Sequence, residues 1–251
     1  ACVLTSFMAL SGCGSEDGWT QQPPPAGFLR VVNTISQSPG FNVNFENQAI
    51  GFINFSESTP FTQVLPDVTR SLEVSFVRDR QLVVLISKDI RIGIDRLTTV
   101  IIAGTMSEPE LLVVDDLPVD FPEGNTLAEM RFVHAASSVP SSVDYHLSAI
   151  DADSGSPLVN LSLNTFSGII EVENSSESKL QTFVQGQSEP FWDSGSFPVP
   201  ASSRPLLSLV DYFGPGDTTA RMISIAVTGT SIFPNETLDS SNRFANMIPD
   251  V

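Results

Sequence analysis

Cysteine, histidine and positive charge are all scarce in this sequence of 251 residues. It has 2 Cys, 2 His and 12 Lys+Arg against 29 Asp+Glu, which gives a formal net charge of −17 at pH 7. A nucleic-acid-binding protein needs a cationic footprint for the phosphate backbone, and a surface this acidic repels it. The composition therefore argues against nucleic acid as a partner.

The positions of the two cysteines narrow the chemistry further. Cys2 lies inside an N-terminal apolar segment and Cys13 directly follows that segment, so no cysteine remains beyond position 13. This excludes thiol catalysis, cysteine-ligated zinc and iron–sulfur clusters downstream of Cys13. We predict no cofactor.

Long hydrophobic runs are also missing, since the apolar stretch in residues 1–12 is too short to span a bilayer, which takes about 20 helical residues. An uncharged apolar segment of this kind is typical of an export signal whose front is missing. Leu10-Ser11-Gly12-Cys13 resembles the lipobox of bacterial lipoproteins, in which the cysteine is lipidated. The alternative is a chance cysteine. We predict a lipid anchor at Cys13 and a tether over 13–27, and hence a protein of the cell envelope, at the outer membrane or cell surface.

Apolar runs separated by Gly, Pro, Asn, Ser and Asp make up most of the sequence after the tether. The content of 41% hydrophobic and 16% charged residues is too apolar for disorder, and no stretch has a convincing helical period. Alternation in residues 72–77 places Leu72, Val74 and Phe76 on one face of a strand. The predicted fold class is all-β, with tandem antiparallel β-sandwich domains of immunoglobulin-like character.

An internal repeat predicts the number of domains. Residues 29–34 (Leu-Arg-Val-Val-Asn-Thr) match 130–135 (Met-Arg-Phe-Val-His-Ala), and residues 242–246 look like a third start. The equivalent arginines, Arg30 and Arg131, are 101 residues apart, which is about one domain. The predicted segments are a signal peptide over 1–12, a tether over 13–27, β-sandwiches over 28–121 and 127–229, a linker over 122–126, and a tail or third repeat over 230–251.

The second repeat start, residues 130–145 (Met-Arg-Phe-Val-His-Ala-Ala-Ser-Ser-Val-Pro-Ser-Ser-Val-Asp-Tyr), resembles a bacterial secreted family, domain of unknown function 4397. Residues 29–43 carry the resemblance more loosely, and 99–104 resemble its closing strand. The first copy departs from the family pattern because it lacks the usual His and Asp. The resemblance implies a secreted β fold in tandem copies and no activity.

A hydrolytic site is the alternative to a non-catalytic protein. His134 with Asp144 would form a base and its orienting carboxylate, and Ser137 would be the nucleophile. No Gly-x-Ser-x-Gly elbow occurs, and Asn33 takes the place of His134 in the first repeat. A hydrogen bond from this side chain to a turn explains the exchange better, so we predict no enzyme.

Three further clusters are candidates for binding, each with a structural alternative. Asp151 and Asp153 have the spacing of a calcium loop, but Ser162 replaces the late glutamate, so we predict no metal and keep them as a weak candidate. Arg78 and Arg80 belong to a basic cluster that nearby aspartates neutralise. A docking patch and an ordinary charged surface both fit that pattern.

Aromatic residues Phe191, Trp192 and Phe197 lie in what looks like the longest irregular stretch, residues 185–204. Exposed rings in a loop are typical of a platform for a glycan or a protein partner, and buried rings would close the end of a sandwich. The predicted function is a non-catalytic, lipid-anchored envelope module that binds a glycan or protein or serves as a spacer.

Overall fold

The computed structural model describes residues 24–213, 219–233 and 235–236. Within them, β-strands joined by turns and loops make up the secondary structure, and there is no helix. This confirms the predicted fold class. In the described part of the chain, nineteen strands form four sheets, and the sheets pair into two sandwiches. No helix in the described part of the chain is long and apolar enough to cross a membrane.

The first sandwich contains eight strands in two four-stranded sheets, ordered β4-β1-β7-β8 and β3-β2-β5-β6. Its strands are β1 (Gly27–Asn33), β2 (Phe41–Phe45), β3 (Gln48–Ile53), β4 (Thr62–Val64), β5 (Thr69–Arg78), β6 (Gln81–Arg91), β7 (Leu97–Gly104) and β8 (Pro109–Asp116).

Alternation and turn chemistry explain the β5–β6 hairpin. Leu72 and Val74 are fully buried while Glu73 between them is half-buried, as the sequence pattern predicts. Asp79 and Arg80 form a two-residue turn and both have positive φ, at 53° and 66°. A tight turn of this backbone type matches the twist of antiparallel strands.

The second sandwich contains the remaining eleven strands in two sheets. One has the order β11-β10-β14-β15 with β16 also on β14, and the other has β12-β9-β17-β18-β19 with β13 also on β9. Its strands are β9 (Leu127–Ala135), β10 (Ser142–Ala149), β11 (Val159–Ser162), β12 (Thr165–Phe166), β13 (Ile170–Glu173), β14 (Ser175–Val184), β15 (Pro190–Asp193), β16 (Phe197–Val199), β17 (Leu206–Asp211), β18 (Ala220–Ala226) and β19 (Gly229–Phe233).

The repeated segments occupy equivalent places in the two sandwiches. In the first, β1 runs parallel to β7 with Arg30 opposite Thr99, and in the second, β9 runs parallel to β17 with Arg131 opposite Leu206. Other strand pairs in the sandwiches are antiparallel. The repeat therefore marks the first strand of each sandwich.

A third apolar core lies between the sandwiches, in addition to the core inside each of them. It forms because the outward faces of the β1-β7-β8 and β9-β17-β18 strands pack against each other and exclude water. Eleven buried residues form it: Val32, Ile101, Ala103, Leu112, Val114, Val133, Ala135, Leu206, Val210, Ile223 and Ile225. The two sandwiches therefore share a hydrophobic interface rather than a flexible joint.

The strand bounds bear on the predicted segmentation. β8 ends at Asp116 and β9 begins at Leu127, and β19 extends the second sandwich to Phe233. The residue boundaries assigned to the domains stay a prediction. Cys13 and the third repeat start at 242–246 lie outside the described residues.

The prediction of a solvent-facing aromatic platform is wrong. Residues 185–204 contain two short strands, β15 and β16, rather than one irregular loop. Trp192 is 0% and Phe197 4% exposed in the core of the second sandwich, and Phe191 is half-buried against that core. Ser and Gly between the two strands, together with Pro190 and Pro198 inside them, gave the segment the composition of a loop. The structural alternative, rings that fill the sandwich, describes Trp192 and Phe197.

Candidate ligand-binding cleft between the sandwiches

A cleft of about 670 Å³ lies between the two sandwiches. Its walls come from β1 and β7, from residues 117–121 that follow β8, from β9, from residues 197–206, and from the end of β18. Fifteen of its 24 lining residues are apolar. Small-molecule sites in proteins have this size and this largely apolar lining, with a few polar groups that fix orientation.

Arg30 is the charged group of the cleft that is buried most completely, because only 6% of its surface is exposed. Its Nε donates a hydrogen bond to Thr99 Oγ1 at 2.9 Å, and its Nη1 donates to the carbonyl of Ala226 in the other sandwich. The guanidinium carbon lies 4.6 Å from the centre of the Phe61 ring, within the range of a cation–π contact. These three contacts hold the guanidinium in one place.

Within the described residues, Nη2 of Arg30 has no hydrogen-bond partner, and no carboxylate oxygen lies within 4.0 Å of the guanidinium. Burial lowers the pKa of Arg30 from 12.5 to about 10, and the negative charge of Asp116 opposes that shift. The side chain therefore stays charged at neutral pH. A buried charge without an ion-pair partner is unfavourable, so an anion bound beside Arg30 would lower that cost.

The other two arginines of the cleft already have carboxylate partners. Arg131 Nη2 donates to Asp116 Oδ1 at 2.7 Å and its Nη1 donates to the carbonyl of Ser167 at 3.0 Å. Arg204 pairs with Glu129 through two of its nitrogens. Three arginines thus line the described part of the cleft, and two of them have a carboxylate within ion-pair distance, whereas Arg30 has only the more distant charge of Asp116.

The sequence contains one signal for this site. Arg30 lies between Leu29 and Val31, which are both fully buried, so a charged side chain interrupts a run of core residues. Arginine at this position in both repeats marked the repeat but not a binding role. No local pattern places Arg30 beside Ala226, since 196 residues separate them.

The structure does not bring His134 and Asp144 together as a base and its orienting carboxylate. His134 lies on β9, while Asp144 lies on β10 in the opposite sheet, between the fully buried Val143 and Tyr145 that face the core. Asp144 Oδ1 accepts a hydrogen bond from Asn160 Nδ2 at 2.7 Å. The carboxylate therefore faces outward and has a different partner.

His134 makes the contact to a turn that the His/Asn exchange between repeats predicts. Its Nε2 lies 3.0 Å from the carbonyl oxygen of Pro140, and because a carbonyl only accepts, Nε2 carries the proton. Asn33, its counterpart, also bonds to the turn that follows its strand. Its Nδ2 donates to Ser38 Oγ, and its Oδ1 accepts from the backbone N–H of Ile35. Burial lowers the pKa of His134, while the bond to Pro140 and the charge of Asp211 oppose that shift.

The remaining candidate residues lie away from the cleft lining. Arg78 and Arg80 are exposed at the β5–β6 hairpin, and whether they bind a partner stays a prediction. Asp151 and Asp153 are exposed between β10 and β11. Among the described residues, no group of three His, Cys, Asp or Glu is placed to hold a metal ion.

Comparisons with known proteins identify a family and no activity. A proposed adhesin from Bacteroides ovatus, known from a crystal structure, is similar over 84% of this chain and 96% of its own, with 8% identity and a TM-score of 0.27. No curated protein matches the sequence. Residues 27–145, from the start of β1 into β10, match DUF4397, a domain of unknown function. The resemblance to this family is confirmed over residues 27–145, which contain the first repeat start and the beginning of the second.

Proposed function

We propose that this protein is a non-catalytic binding module of the bacterial cell envelope, anchored by a lipid at Cys13, in which two sandwiches act as one unit and their cleft binds a ligand. The observation that carries the proposal is the uncompensated, buried guanidinium of Arg30 in an apolar cleft between the sandwiches. The apolar core between the sandwiches supports a fixed cleft, because separating them would expose that core to water.

The geometry around the candidate catalytic residues supports a non-catalytic role. The hydroxyl of Ser137 donates to Asp211 at 2.6 Å, and the Nε2 proton of His134 is directed to Pro140. A serine nucleophile needs its hydroxyl bonded to an unprotonated nitrogen of the base. Hydrolysis by His134 and Asp144 would require both hydrogen bonds to break and the two sheets that carry these residues to shift.

The apolar lining favours a ligand with a substantial apolar part over an unmodified glycan. A sugar presents hydroxyl groups in all directions, and most of the cleft surface offers them no partner. A protein partner has a separate candidate surface on the β5–β6 hairpin, where Val77 and Leu82 are 62% and 60% exposed beside Arg78 and Arg80. Exposed apolar side chains beside cations are common at protein interfaces.

Binding in the cleft is tested with N-phenyl-1-naphthylamine, an uncharged apolar dye that fluoresces when it leaves water. Val227 lines the mouth of the cleft and is 70% exposed, so Val227→Trp would obstruct entry without disturbing the core. We expect Val227→Trp to weaken dye binding about tenfold, which corresponds to roughly 1.4 kcal/mol.

Val77→Trp is the matched control, because Val77 is 62% exposed and does not line the cleft. It should bind the dye as the wild type does. Excitation of the dye at wavelengths that tryptophan does not absorb keeps the two variants comparable. Absence of dye binding in the wild type, or equal binding in all three proteins, would overturn the assignment of the cleft.

Anchoring is tested separately by membrane fractionation of the full-length protein and its Cys13→Ser variant. The wild type should sediment with membranes, and the variant should be found in the soluble fraction, because stable residence in a membrane requires two or more acyl chains. A Cys13→Ser variant that sediments as fully as the wild type would refute the lipid anchor and leave the cleft assignment untouched.

A further inference from the structure

The geometry points to a particular class of ligand for the cleft: a small organic monoanion, a carboxylate or sulfonate on an alkyl or aromatic body, with its anionic group at Arg30. This inference rests on the proposed function, because it requires that the cleft is a binding site. It adds the charge, the size and the apolar character of the ligand.

The charge follows from which of the three arginines is free. Arg131 and Arg204 are neutralised by Asp116 and Glu129, at ion pairs whose side chains are at most 19% exposed. Arg30 has no ion pair among the described residues, although the chain contains 29 acidic residues. One unpaired positive charge is matched by one negative charge on the ligand.

The geometry of the guanidinium limits where that charge is bound. Nε and Nη1 are committed to Thr99 and to the carbonyl of Ala226, and the Phe61 ring lies against the guanidinium. The two N–H groups of Nη2 and the second N–H of Nη1 are therefore the donors available for an anion. Charge-assisted hydrogen bonds of an arginine to an oxyanion are among the strongest that proteins form.

The remaining space of the cleft determines the rest of the ligand. A volume of about 670 Å³ is within the range for a drug-sized molecule and far larger than a phosphate or sulfate ion. The apolar lining, which includes Leu97, Leu117, Phe121 and Phe233, offers burial to a hydrocarbon body and nothing to a second charge. An inorganic anion would leave this surface in contact with water.

Two dyes with the same aromatic body separate the charge from the apolar contact. 1-Anilinonaphthalene-8-sulfonate carries a sulfonate, and N-phenyl-1-naphthylamine lacks it. We expect Arg30→Met, which keeps an unbranched apolar side chain at this position but removes the charge, to weaken binding of the sulfonate about tenfold, as expected for losing a charged hydrogen bond. The ratio of the affinity for the sulfonate to the affinity for the uncharged dye should therefore fall about tenfold relative to the wild type, because only the sulfonate uses the charge.

Arg78→Met is the matched control, because it removes an exposed arginine that does not line the cleft. It should change the affinity of neither dye. Equal affinities of Arg30→Met and wild type for the sulfonate would overturn the inference while the proposed cleft stands. Failure of the wild type to bind either dye would overturn both.

A second measurement uses the wild type alone and holds if Arg30→Met does not fold. Decanoate and decanol have the same chain length and differ in charge at neutral pH. Decanoate should displace the uncharged dye at a concentration about tenfold lower than decanol does, by the same charged hydrogen bond. Equal displacement by the two would refute recognition of the anion.

Discussion

The carboxylate of Asp211 accepts hydrogen bonds from both the backbone N–H and the hydroxyl of Ser137, at 3.1 and 2.6 Å from Oδ2. Its other oxygen accepts the equivalent pair from Ser138, at 2.8 and 2.6 Å. Asp211 is the last residue of β17, and the serines begin the loop that follows β9. One side chain therefore fixes the connection between β9 and β10 to the neighbouring strand.

The first prediction concerns this contact. Asp211→Ala should lower the free energy of unfolding by about 2–3 kcal/mol, because four hydrogen bonds to a charged, 5% exposed acceptor are lost and only part of that loss is recovered by water. Urea unfolding measures the change.

Asp144→Ala is the control for Asp211→Ala. Asp144 is half-buried and accepts one hydrogen bond, from Asn160. Its removal should change the stability by less than about 1 kcal/mol, the usual effect of one hydrogen bond at a partly exposed site. Equal effects of the two variants would show that the Asp211 bonds do not contribute as described.

The second prediction is a pH dependence from His134. Its second ring nitrogen, Nδ1, is buried without a hydrogen-bond partner in the described part of the chain, so adding a proton there is costly. Burial lowers the pKa in the native state below the ordinary 6.5, so the unfolded chain takes up a proton first on acidification. Above pH 6.5 the imidazole is neutral in both states. Stability is therefore lost as the pH falls below about 6.5.

His134→Asn tests that dependence because it installs the residue of the equivalent position, Asn33, and leaves every carboxylate in place. When urea titrations are repeated at about pH 5 instead of about pH 7.5, the unfolding free energy of the wild type should fall relative to that of the variant. A difference that does not change with pH would contradict the assignment.

The third prediction distinguishes the core role of Trp192 from a binding role. Trp192→Ala removes a fully buried ring from the second sandwich, which typically costs 3–5 kcal/mol, or on the order of ten degrees in Tm for a chain of this size. Phe52→Ala, at a ring that is 60% exposed, should change the Tm by a few degrees at most. A Trp192→Ala variant with the Tm of the wild type would show that the ring does not support the core.

The fourth prediction concerns the interface between the sandwiches. The wild type should unfold in urea in a single transition because the two sandwiches share a buried apolar core. Ile101→Asp places a charge in that core and should separate unfolding into two transitions. Val77→Asp, on an exposed position of β5, should keep one transition. Two transitions in the wild type would refute coupling through this interface.

Local sequence patterns were enough to predict the strands but not which surface covers the second face of a strand. Alternation around Val74 predicted a half-buried strand, and Leu72 and Val74 are buried as expected, but Ser75 is buried too, next to a register shift in the pairing with β6. The uninterrupted run over Thr98–Ala103 is buried on both faces, because one face meets the sandwich core and the other meets the second sandwich. Periodicity contains no information about which surface covers the second face.

The candidate site was less predictable because its parts come from distant segments. Arg30, Asp116 and Ala226 meet only once both sandwiches are formed and packed together. Trp192 was misplaced for a related reason, since a four-residue strand that begins with Pro and is followed by Ser and Gly has the composition of a loop. Composition reports local backbone preference, whereas burial depends on tertiary contacts.

The parallel pairing of β1 with β7 also determines the order in which each sandwich is completed. Phe28 pairs with Leu97, and Leu206 pairs with Arg131. The first strand of each sandwich is therefore separated from its parallel partner by some seventy residues of sequence. Loop closure over such distances is slow compared with hairpin formation. The antiparallel hairpins, such as β5–β6, can form early and β1 can pair with β4, while the other edge of β1 stays open in a nascent chain until β7 has emerged.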